Sequence, residues 1–201
     1  MLVSVVVCVW NQEELVLRAL ESVPARNDVE IIVVDDGSTD NTLSNVVDYI
    51  NHHPLKKIVL IPLDENHGLG YAKNMAYDAA TGDYVTQLDS DDYLYTDVWE
   101  RILERLDGTD IVFQNLATNT DWKVILRPET KIGYPSGCAR FIRREFLGNH
   151  RCPEVRAKED LYLACELDKI PHTEKYTDMC GYHYNWPRRG SLVWLDSRGL
   201  L

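Results

Sequence analysis

The chain has 201 residues and a formal net charge of −11, with 21 lysines and arginines against 32 aspartates and glutamates. This length can bury a substantial core and corresponds to one or two small domains. The acidic balance argues against non-specific nucleic-acid binding, which depends on a basic surface, and the longest apolar run, residues 5–10, is far too short to span a bilayer.

Two further features indicate a cytoplasmic protein. The chain begins directly with a strand-like segment, without the basic region and cleavage site of a signal peptide. Its five cysteines are scattered, odd in number and without a C-x-x-C pair. That pattern favours reduced thiols over a disulfide framework or a zinc site.

The first 115 residues alternate strand-like and helix-like segments. Residues 2–9 are almost all β-branched or apolar, as in a buried parallel strand, and residues 13–23 carry apolar side chains at helical spacing. The alternation predicts an α/β fold with a mostly parallel, Rossmann-like sheet flanked by helices on both faces. The remaining elements of this half are strands at 29–34, 57–62, 83–89 and 110–115, and helices that begin at 39 or 40, at 71 and at 96 or 97.

The second half is less regular. Residues 119–130 resemble a short strand pair, 139–147 and 159–167 resemble helices, and 179–186 resembles a strand or loop. No repeat, low-complexity run or evident linker divides the chain. We therefore predict a single compact domain with two functional halves, residues 1–115 and 116–201.

Polar residues follow the first four predicted strands. They are Trp10-Asn11 after the first strand and the acid-rich segments 35–38, 64–67 and 89–92 after the next three. Ligands bind outside the carboxyl ends of strands in open α/β sheets, so we expect one site at this rim.

Three carboxylates, Asp89, Asp91 and Asp92, lie within four residues of the last segment. Packing like charges at a strand end is costly unless a cation or a donor-rich ligand compensates them. Hard oxygen ligands of this kind suit Mg²⁺ or Mn²⁺, particularly when a diphosphate supplies further oxygens. Taken alone, the segment is equally compatible with a solvated turn.

Together these segments resemble the family 2 glycosyltransferases of the GT-A fold, most of all the bacterial enzymes that extend capsule, lipopolysaccharide or hyaluronan- and chondroitin-like polysaccharides. The resemblance covers most of the chain and implies that residues 1–115 bind a nucleotide-sugar while 116–201 bind the acceptor. It is carried by VSVVVCVWNQEELVLRALESV, EIIVVDDGSTDNT, ENHGLGYAKNMAYDAATGDYVTQLDSDDYL, the KED at 158–160 and YHYNWPRRGS at 182–191.

The resemblance implies a donor site in the first half. Trp10 would stack on the nucleotide base, with a core tryptophan as the alternative, and Asp36 would accept an N–H of uracil. A carboxylate reads any base that presents an N–H edge, so guanine and thymine stay open. Asp35 would instead cap the loop that follows. The full donor-binding set is Val9, Trp10, Asn11, Asp36, Gly68, Lys73, Asp89, Ser90, Arg188 and Arg189.

Two segments of this set carry phosphate or metal chemistry. Gly68 lets the backbone approach the nucleotide. Lys73 stands where the family usually has arginine, so its contact would be weaker or to phosphate only. Asp89-Ser90-Asp91 resembles the D-x-D motif, in which Asp91, supported by Asp89, would hold Mn²⁺ or Mg²⁺ against the diphosphate. Asp92 would share either task.

Glu159-Asp160 resembles the Glu-Asp pair of the family, whose second residue commonly acts as catalytic base. Inverting transfer needs one carboxylate to take the proton of the acceptor hydroxyl. We assign this role to Asp160, with Glu159 as the second candidate. Ordinary capping of a helix start is the alternative for both residues.

Two departures from the family bear on the site. Relatives often carry a metal-binding histidine after the Tyr-x-Tyr segment, but that slot falls at about Pro187. Either the metal lacks this ligand, or His183 reaches in, or Arg188 or Arg189 contacts the diphosphate, which we favour. The family's acceptor segment often holds a tryptophan, whereas residues 136–139 are small and would leave room for an acceptor.

We therefore expect a metal-dependent, inverting glycosyltransferase that moves a sugar from a nucleotide-diphosphate donor, first of all a UDP-sugar, to a hydroxyl of a glycan, a lipid-linked or another acceptor. The alternative is a degenerate module that binds nucleotide-sugar or a protein without catalysis. A nucleotidyltransferase is disfavoured because no Gly-rich basic loop follows the first strand. Peripheral attachment at the inner membrane face through Trp186, Trp194 and nearby arginines is a further hypothesis.

Overall fold

The computed structural model describes residues 1–120, 123–128, 137–155 and 158–186. Strands and helices alternate through the first half as predicted, with bounds that differ by a few residues. The elements of this half are β1 (Val3–Val9), α1 (Leu15–Ser22), β2 (Val29–Asp35), α2 (Thr42–His52), β3 (Lys57–Pro62), α3 (Leu69–Ala79), β4 (Tyr84–Gln87), β5 (Tyr93–Leu94), α4 (Thr96–Leu103) and β6 (Ile111–Thr118).

The second half adds strands to the same sheet. Its elements are β7 (Lys123–Val124), a short 3₁₀ turn (Gly137–Ala139), β8 (Arg140–Arg143), α5 (Arg144–Leu147), α6 (Glu159–Leu167) and β9 (Glu174–Tyr184). Within the described ranges the strand order is β3-β2-β1-β4-β8-β6-β9-β5, with β7 paired to β6. The β1–β2, β2–β3, β1–β4 and β6–β9 pairs are parallel, whereas β8 runs antiparallel to both of its neighbours.

Apolar residues cover both faces of the central strands, which explains their continuous hydrophobicity. Every residue of β1 and β2 is buried. Val5 and Val7 pack into one cluster with Leu20 of α1, while Val6 packs into a second cluster with Ala76 of α3. Burying one such aliphatic side chain contributes about 1.5–3 kcal/mol. The α/β architecture predicted from the alternation is confirmed.

The helix predicted over residues 139–147 is wrong. A 3₁₀ turn and the strand β8 occupy its first part, and only residues 144–147 are helical. The apolar residues of 139–147 match helical spacing as well as strand spacing. Residues 140–143 form a strand because they pair with both β4 and β6. Phe141 and Ile142 consequently face the two opposite core clusters.

This topology brings several segment ends to one rim of the sheet. The carboxyl ends of β1, β2, β4 and β9 point the same way, and the antiparallel β8 begins there with its preceding 3₁₀ turn. Loops from both halves of the chain therefore meet at this rim. None of the helices in the described part of the chain has both the length and the apolarity needed to cross a bilayer.

Candidate functional site

The loops after β1 and β2 hold each other in place at the rim. Asn11 adopts a left-handed conformation with φ of 51°. Its amide donates to Ser38 Oγ over 3.0 Å, and its side-chain Oδ1 accepts the Thr39 amide over 2.8 Å. The same turn leaves Trp10 51% exposed. Trp10 is therefore not a core tryptophan, and its stacking on a base stays a prediction.

The buried carboxylate of Asp36 organises the loop before α3. It accepts the amides of His67 (2.8 Å) and Gly68 (2.9 Å) and the side-chain amide of Asn66 (3.0 Å). Its own amide donates to the carbonyl of Val9 at the end of β1 (2.9 Å). Asp36 thus joins three strand ends, and contact with a nucleotide base would add to these bonds.

Asp35 and Gly68 occupy special positions in the loops at the rim. Asp35 Oδ1 accepts the Ser38 amide over 3.0 Å, so the predicted capping role of Asp35 is confirmed. Gly68 precedes α3 with φ of 92°, a conformation that favours glycine. A Cβ at this position would meet no atom within 4 Å, so the backbone at Gly68 is open to approach.

The acidic loop after β4 contains two carboxyl groups whose pKa values are raised. Asp89 and Asp91 are half-buried, and Ser90 and Asp92 are buried. Burial, opposed by Lys73 and reinforced by Asp91, raises the pKa of Asp89 to about 6. Burial and the charges of Asp89 and Asp91 raise the pKa of Asp92 to about 8. A divalent cation would relieve this repulsion, so the residues fit a bound Mg²⁺ or Mn²⁺.

The carboxylate of Asp92 accepts hydrogen bonds from other parts of the protein. It accepts the Tyr182 hydroxyl over 2.6 Å and the Asn185 amide over 2.7 Å. This leaves Asp89 and Asp91 as the carboxylates at the rim, and Mg²⁺ typically takes one or two protein carboxylates together with substrate phosphates. Among the described residues, a group of three His, Cys, Asp or Glu side chains with metal-ligand spacing occurs elsewhere, at Asp168, His172 and Glu174.

Residues that the sequence did not single out hold the acidic loop. The Tyr182 hydroxyl accepts the amide of Asp89 (3.1 Å) while it donates to Asp92. The carbonyl of Asp91 accepts the Arg18 guanidinium (2.5 Å) and the Asn185 side-chain amide (3.1 Å). Tyr182 belongs to the Tyr-x-Tyr segment, which was the available signal, whereas no motif marked Arg18.

The ring of His183 is bonded to residues outside the acidic loop. Side chains alternate along β9, so His183 points to the face opposite Tyr182. There it stacks on Tyr93 with ring centroids 4.3 Å apart. Its Nδ1 bonds the Tyr95 hydroxyl and its Nε2 bonds Asn119 Oδ1, both over 2.8 Å. The alternative in which His183 binds the metal is therefore wrong for this arrangement.

Three positions named in the same argument lie outside the described residues. They are the histidine slot at Pro187 and the two arginines assigned to the diphosphate, Arg188 and Arg189. Trp194 also lies outside them. The assignment of an arginine to the diphosphate stays a prediction.

Asp160 lies in the first turn of α6, and both of its carboxylate oxygens are oriented by backbone amides. Oδ2 accepts the Gly137 amide over 3.0 Å, and Oδ1 accepts the Leu161 amide over 2.8 Å. A Cβ on Gly137 would lie 2.1 Å from Gln87 Oε1, so a larger residue here would require the Gln87 side chain to move. Residues 137–139 are buried, so the expectation that this segment leaves room for an acceptor is wrong for these three residues, and residue 136 lies outside the described part of the chain.

Lys73 and Glu159 form a buried ion pair next to Asp160. Lys73 Nζ lies 2.6 Å from Glu159 Oε1, and both side chains are 5% exposed. Burial disfavours the charged ammonium, but Glu159, Asp160 and Asp89 together hold the pKa of Lys73 well above its usual value. The ammonium that was assigned to the donor is thus bound to a carboxylate of the second half. Lys73, Asp89, Glu159 and Asp160 form one electrostatic cluster.

Comparison with known proteins places this site in a family. A family model described as glycosyl transferase family 2 matches residues 4–155, well over half of the chain. The chain is 39% identical over 118 residues to the succinoglycan biosynthesis protein ExoO of Rhizobium meliloti, covering 57% of this chain and 33% of that protein. It is 35% identical over 105 residues to chondroitin synthase of Escherichia coli, covering 51% of this chain and 15% of that protein.

Solved structures show the same fold. TarS 1–349 of S. aureus in complex with UDP-GlcNAc superposes with a TM-score of 0.82 at 24% identity, over 95% of this chain and 60% of that chain. The mannosyltransferase PcManGT of Pyrobaculum calidifontis, in complex with GDP-Man and Mn²⁺, gives a TM-score of 0.75 at 22% identity, over 98% of this chain and 60% of that chain. The GT-A fold predicted from the sequence is confirmed.

The chain spans a third or less of the length of the two curated relatives. The loops that form the candidate site follow β1 and β2, precede α3 at Gly68 and follow β4. The family model extends across all of these segments. This chain belongs to glycosyl transferase family 2.

Proposed function

We propose that this protein is a metal-dependent, inverting glycosyltransferase. It transfers a sugar from a nucleotide-diphosphate donor, first of all a UDP-sugar, to a hydroxyl of a glycan, a lipid-linked or another acceptor. One observation carries the proposal: at the rim, Asp89 interacts electrostatically both with Asp91 and with Asp160, whose carboxylate is oriented by the Gly137 amide. The membership of this chain in glycosyl transferase family 2 and the donor complexes of the two structural neighbours support the proposal.

The donor would lie across the ends of β1, β2 and β4. Trp10 offers an exposed ring for the base, and Asp36 is the carboxylate assigned to a base N–H. Val9, Asn11, Gly68 and Ser90 line the same loops, and Arg188 and Arg189 are assigned to the diphosphate. TarS and PcManGT are complexed with UDP-GlcNAc and GDP-Man respectively, so both nucleotides are to be tested here.

Asp91, supported by Asp89, would hold the Mn²⁺ or Mg²⁺ ion. When bound, the cation neutralises the charge that develops on the departing nucleotide diphosphate. Asp89 and Asp91 are the half-buried members of the acidic loop, while Asp92 keeps that loop attached to β9. The protein thus supplies two carboxylates and a fixed loop geometry.

Asp160 would act as the general base. It takes the proton of the acceptor hydroxyl as the hydroxyl oxygen forms a bond to C1 of the sugar. The bond from C1 to the diphosphate oxygen breaks with its electron pair, and the nucleotide diphosphate leaves. Because Gly137 and Leu161 donate to the two carboxylate oxygens, the base is pre-oriented for this step.

The two halves would divide this work. Residues 1–115 would bind the donor, and residues 116–201 would contact the acceptor and supply Asp160. The cytoplasmic location and the peripheral attachment at the inner membrane face stay predictions.

Thermal denaturation of the purified protein with UDP, GDP, CDP, ADP and dTDP, each with and without Mn²⁺, tests the proposal. A ligand at about 100 times its Kd adds about 2.7 kcal/mol of stability. We expect one nucleotide to raise Tm only when Mn²⁺ is present, and the sugar donors of that nucleotide are then assayed for transfer. A protein that responds to no nucleotide would contradict the proposal, and one that binds a nucleotide without consuming any donor would be the degenerate module.

A further inference from the structure

Three residues of helix α3 contact the segment before α6 or the first residue of α6. The residues of α3 are Gly70, Lys73 and Asn74, which lie on one face of the helix at spacings of three and four. Their partners are Pro153, Glu159 and Cys152, between 78 and 86 residues further along the chain. The glycine-rich segment from Gly68 to Asn74, which was assigned to the nucleotide, thus also meets the segment that carries the proposed base.

Two of these contacts, those of Asn74 and Gly70, are made to the backbone of the facing segment and require these particular residues. The Asn74 side chain donates to the Cys152 carbonyl (2.9 Å) and accepts the Cys152 amide (2.8 Å). This reciprocal pair fastens the segment as a neighbouring strand would. A Cβ on Gly70 would lie 2.4 Å from the carbonyl oxygen of Pro153, so glycine is needed for the helix to approach this closely.

The third contact is the buried ion pair. Lys73 Nζ and Glu159 Oε1 are 2.6 Å apart in a site from which solvent is almost excluded. If Lys73 turned to a phosphate, it would leave the Glu159 carboxylate buried and uncompensated, which is strongly unfavourable. Glu159 directly precedes Asp160, so the pair also determines where the first turn of α6 lies.

We infer that Lys73 and Glu159 are positioning residues, which together with Gly70 and Asn74 clamp Cys152, Pro153 and the first turn of α6, where Asp160 lies, onto the donor-binding half. The clamp holds Asp160 at a fixed distance from the acidic loop. Lys73 acts through Glu159 and not through direct contact with the donor. This inference rests on the proposed function, because it assigns the clamp to the placement of the base.

A double-mutant cycle separates the clamp from direct donor contact. The proteins are the wild type, Lys73→Met, Glu159→Gln and the double variant. Lys169→Met, which replaces an exposed lysine just after α6, is the control. Calorimetry measures UDP affinity in the presence of Mn²⁺. Turnover is measured as UDP released from UDP-GlcNAc, or as GDP released from GDP-mannose if that is the donor consumed by the wild type.

We expect each single variant to lose about 100-fold in kcat, the size that a small misplacement of a catalytic group produces. UDP affinity should change less than threefold, and the double variant should lose far less than the product of the two single losses. Lys73→Arg keeps a cation that can pair with Glu159 and should recover kcat relative to Lys73→Met. If Lys73→Met does not fold, Lys73→Arg and Glu159→Gln carry the comparison.

Two outcomes would overturn the inference. A tenfold or larger loss of UDP affinity in Lys73→Met but not in Glu159→Gln would show direct contact with the donor. Losses that simply multiply in the double variant would show that the two side chains are not coupled. Melting temperatures of the same proteins measure the coupling between Lys73 and Glu159 without ligand. If the wild type were inactive, the proposed function would be wrong, but the melting temperatures would still test whether the two residues are coupled.

Discussion

The three aspartates of the loop after β4 differ in their surroundings although they are neighbours in sequence. Asp92 is fully buried and saturated by donors from Tyr182 and Asn185. Asp89 and Asp91 are only half-buried and face the rim. Burial, followed by the charges of neighbouring carboxylates, raises the pKa values of Asp89 and Asp92, although Lys73 opposes the rise at Asp89. Burial, and not residue type, therefore distinguishes Asp92, which holds the loop, from Asp89 and Asp91, which are proposed to serve the metal.

Replacing Asp91 by asparagine should abolish the Mn²⁺-dependent part of the nucleotide-induced rise in Tm. The amide is a weaker ligand for a hard cation than a carboxylate, while the main-chain carbonyl bonded by Arg18 is retained. The measurement is the thermal shift with and without Mn²⁺, and the exposed Asp97→Asn provides the control. An unchanged Mn²⁺-dependent shift would show that the ion does not need Asp91.

Replacing Asp160 by asparagine should lower the rate of transfer by about two to four orders of magnitude, the usual effect of removing a general base. An asparagine oxygen can still accept the Gly137 amide, so the turn should stay in place, but it cannot take a proton at neutral pH. Transfer rate and nucleotide affinity are measured together, against the exposed Asp48→Asn. A collapse of nucleotide affinity would instead assign Asp160 a structural role.

At the scale of elements, a buried carboxylate joins strands at the end of the sheet opposite the site. Glu30 of β2 accepts the Ser4 hydroxyl (2.6 Å) and the amides of Thr81 (2.8 Å) and Gly82 (3.1 Å). Burial alone would raise its pKa, but these hydrogen bonds outweigh burial and hold the pKa of Glu30 below its usual value of 4.5. The ionised group therefore ties β1 and β2 to the turn before β4.

This arrangement predicts a pH dependence of stability. Since the pKa of Glu30 is lower in the folded than in the unfolded protein, its contribution is complete above about 4.5 and is lost as the pH falls through the folded-state value. Glu30→Gln should lower the free energy of unfolding at pH 7 by about 1–3 kcal/mol, because a buried donor loses its partner.

Urea unfolding at pH 7 and at a series of values below pH 4.5 measures this effect. The variant should lose less stability on acidification than the wild type, because the group that binds the extra proton is gone. Glu104→Gln, at an exposed position, is the matched control. A variant whose acid sensitivity equals that of the wild type would show that Glu30 does not contribute to it.

At the scale of the whole molecule, the donor and acceptor halves share one sheet. The strand β8 of the second half lies between β4 and β6 of the first. Tyr182 of β9 and Glu159 of α6 reach back to the acidic loop and to α3. The halves therefore divide the proposed function but not the fold.

A fragment of residues 1–115 should not fold cooperatively. It lacks β8, so β4 would have an unpaired edge and residues 111–115 of β6 would have no partner strand. Circular dichroism during heating should show no sharp transition for the fragment, whereas the whole chain should unfold in one. A cooperative transition in the fragment would show that the first half is an independent domain.

From the sequence alone we could predict the α/β class, the strands of the first half and the rim on which the site lies. These follow from local signals: continuous apolar runs such as β1, helical spacing in α1, and acidic residues directly after strand ends. The positions of Asp35, Asp89 and Asp91 at that rim were predictable for the same reason, since each lies at or just after the end of a strand, whereas Asp160 was assigned to the site only through the family resemblance.

Which side chains face one another could be seen only in the three-dimensional arrangement of the elements. Residues 140–143 form a strand because β4 and β6 leave a gap that only a strand can fill. Lys73 meets Glu159, and Tyr182 meets Asp92, across 86 and 90 residues of chain. Such pairings leave no periodic trace in the sequence, because they depend on sheet order and on how closely glycines let segments approach.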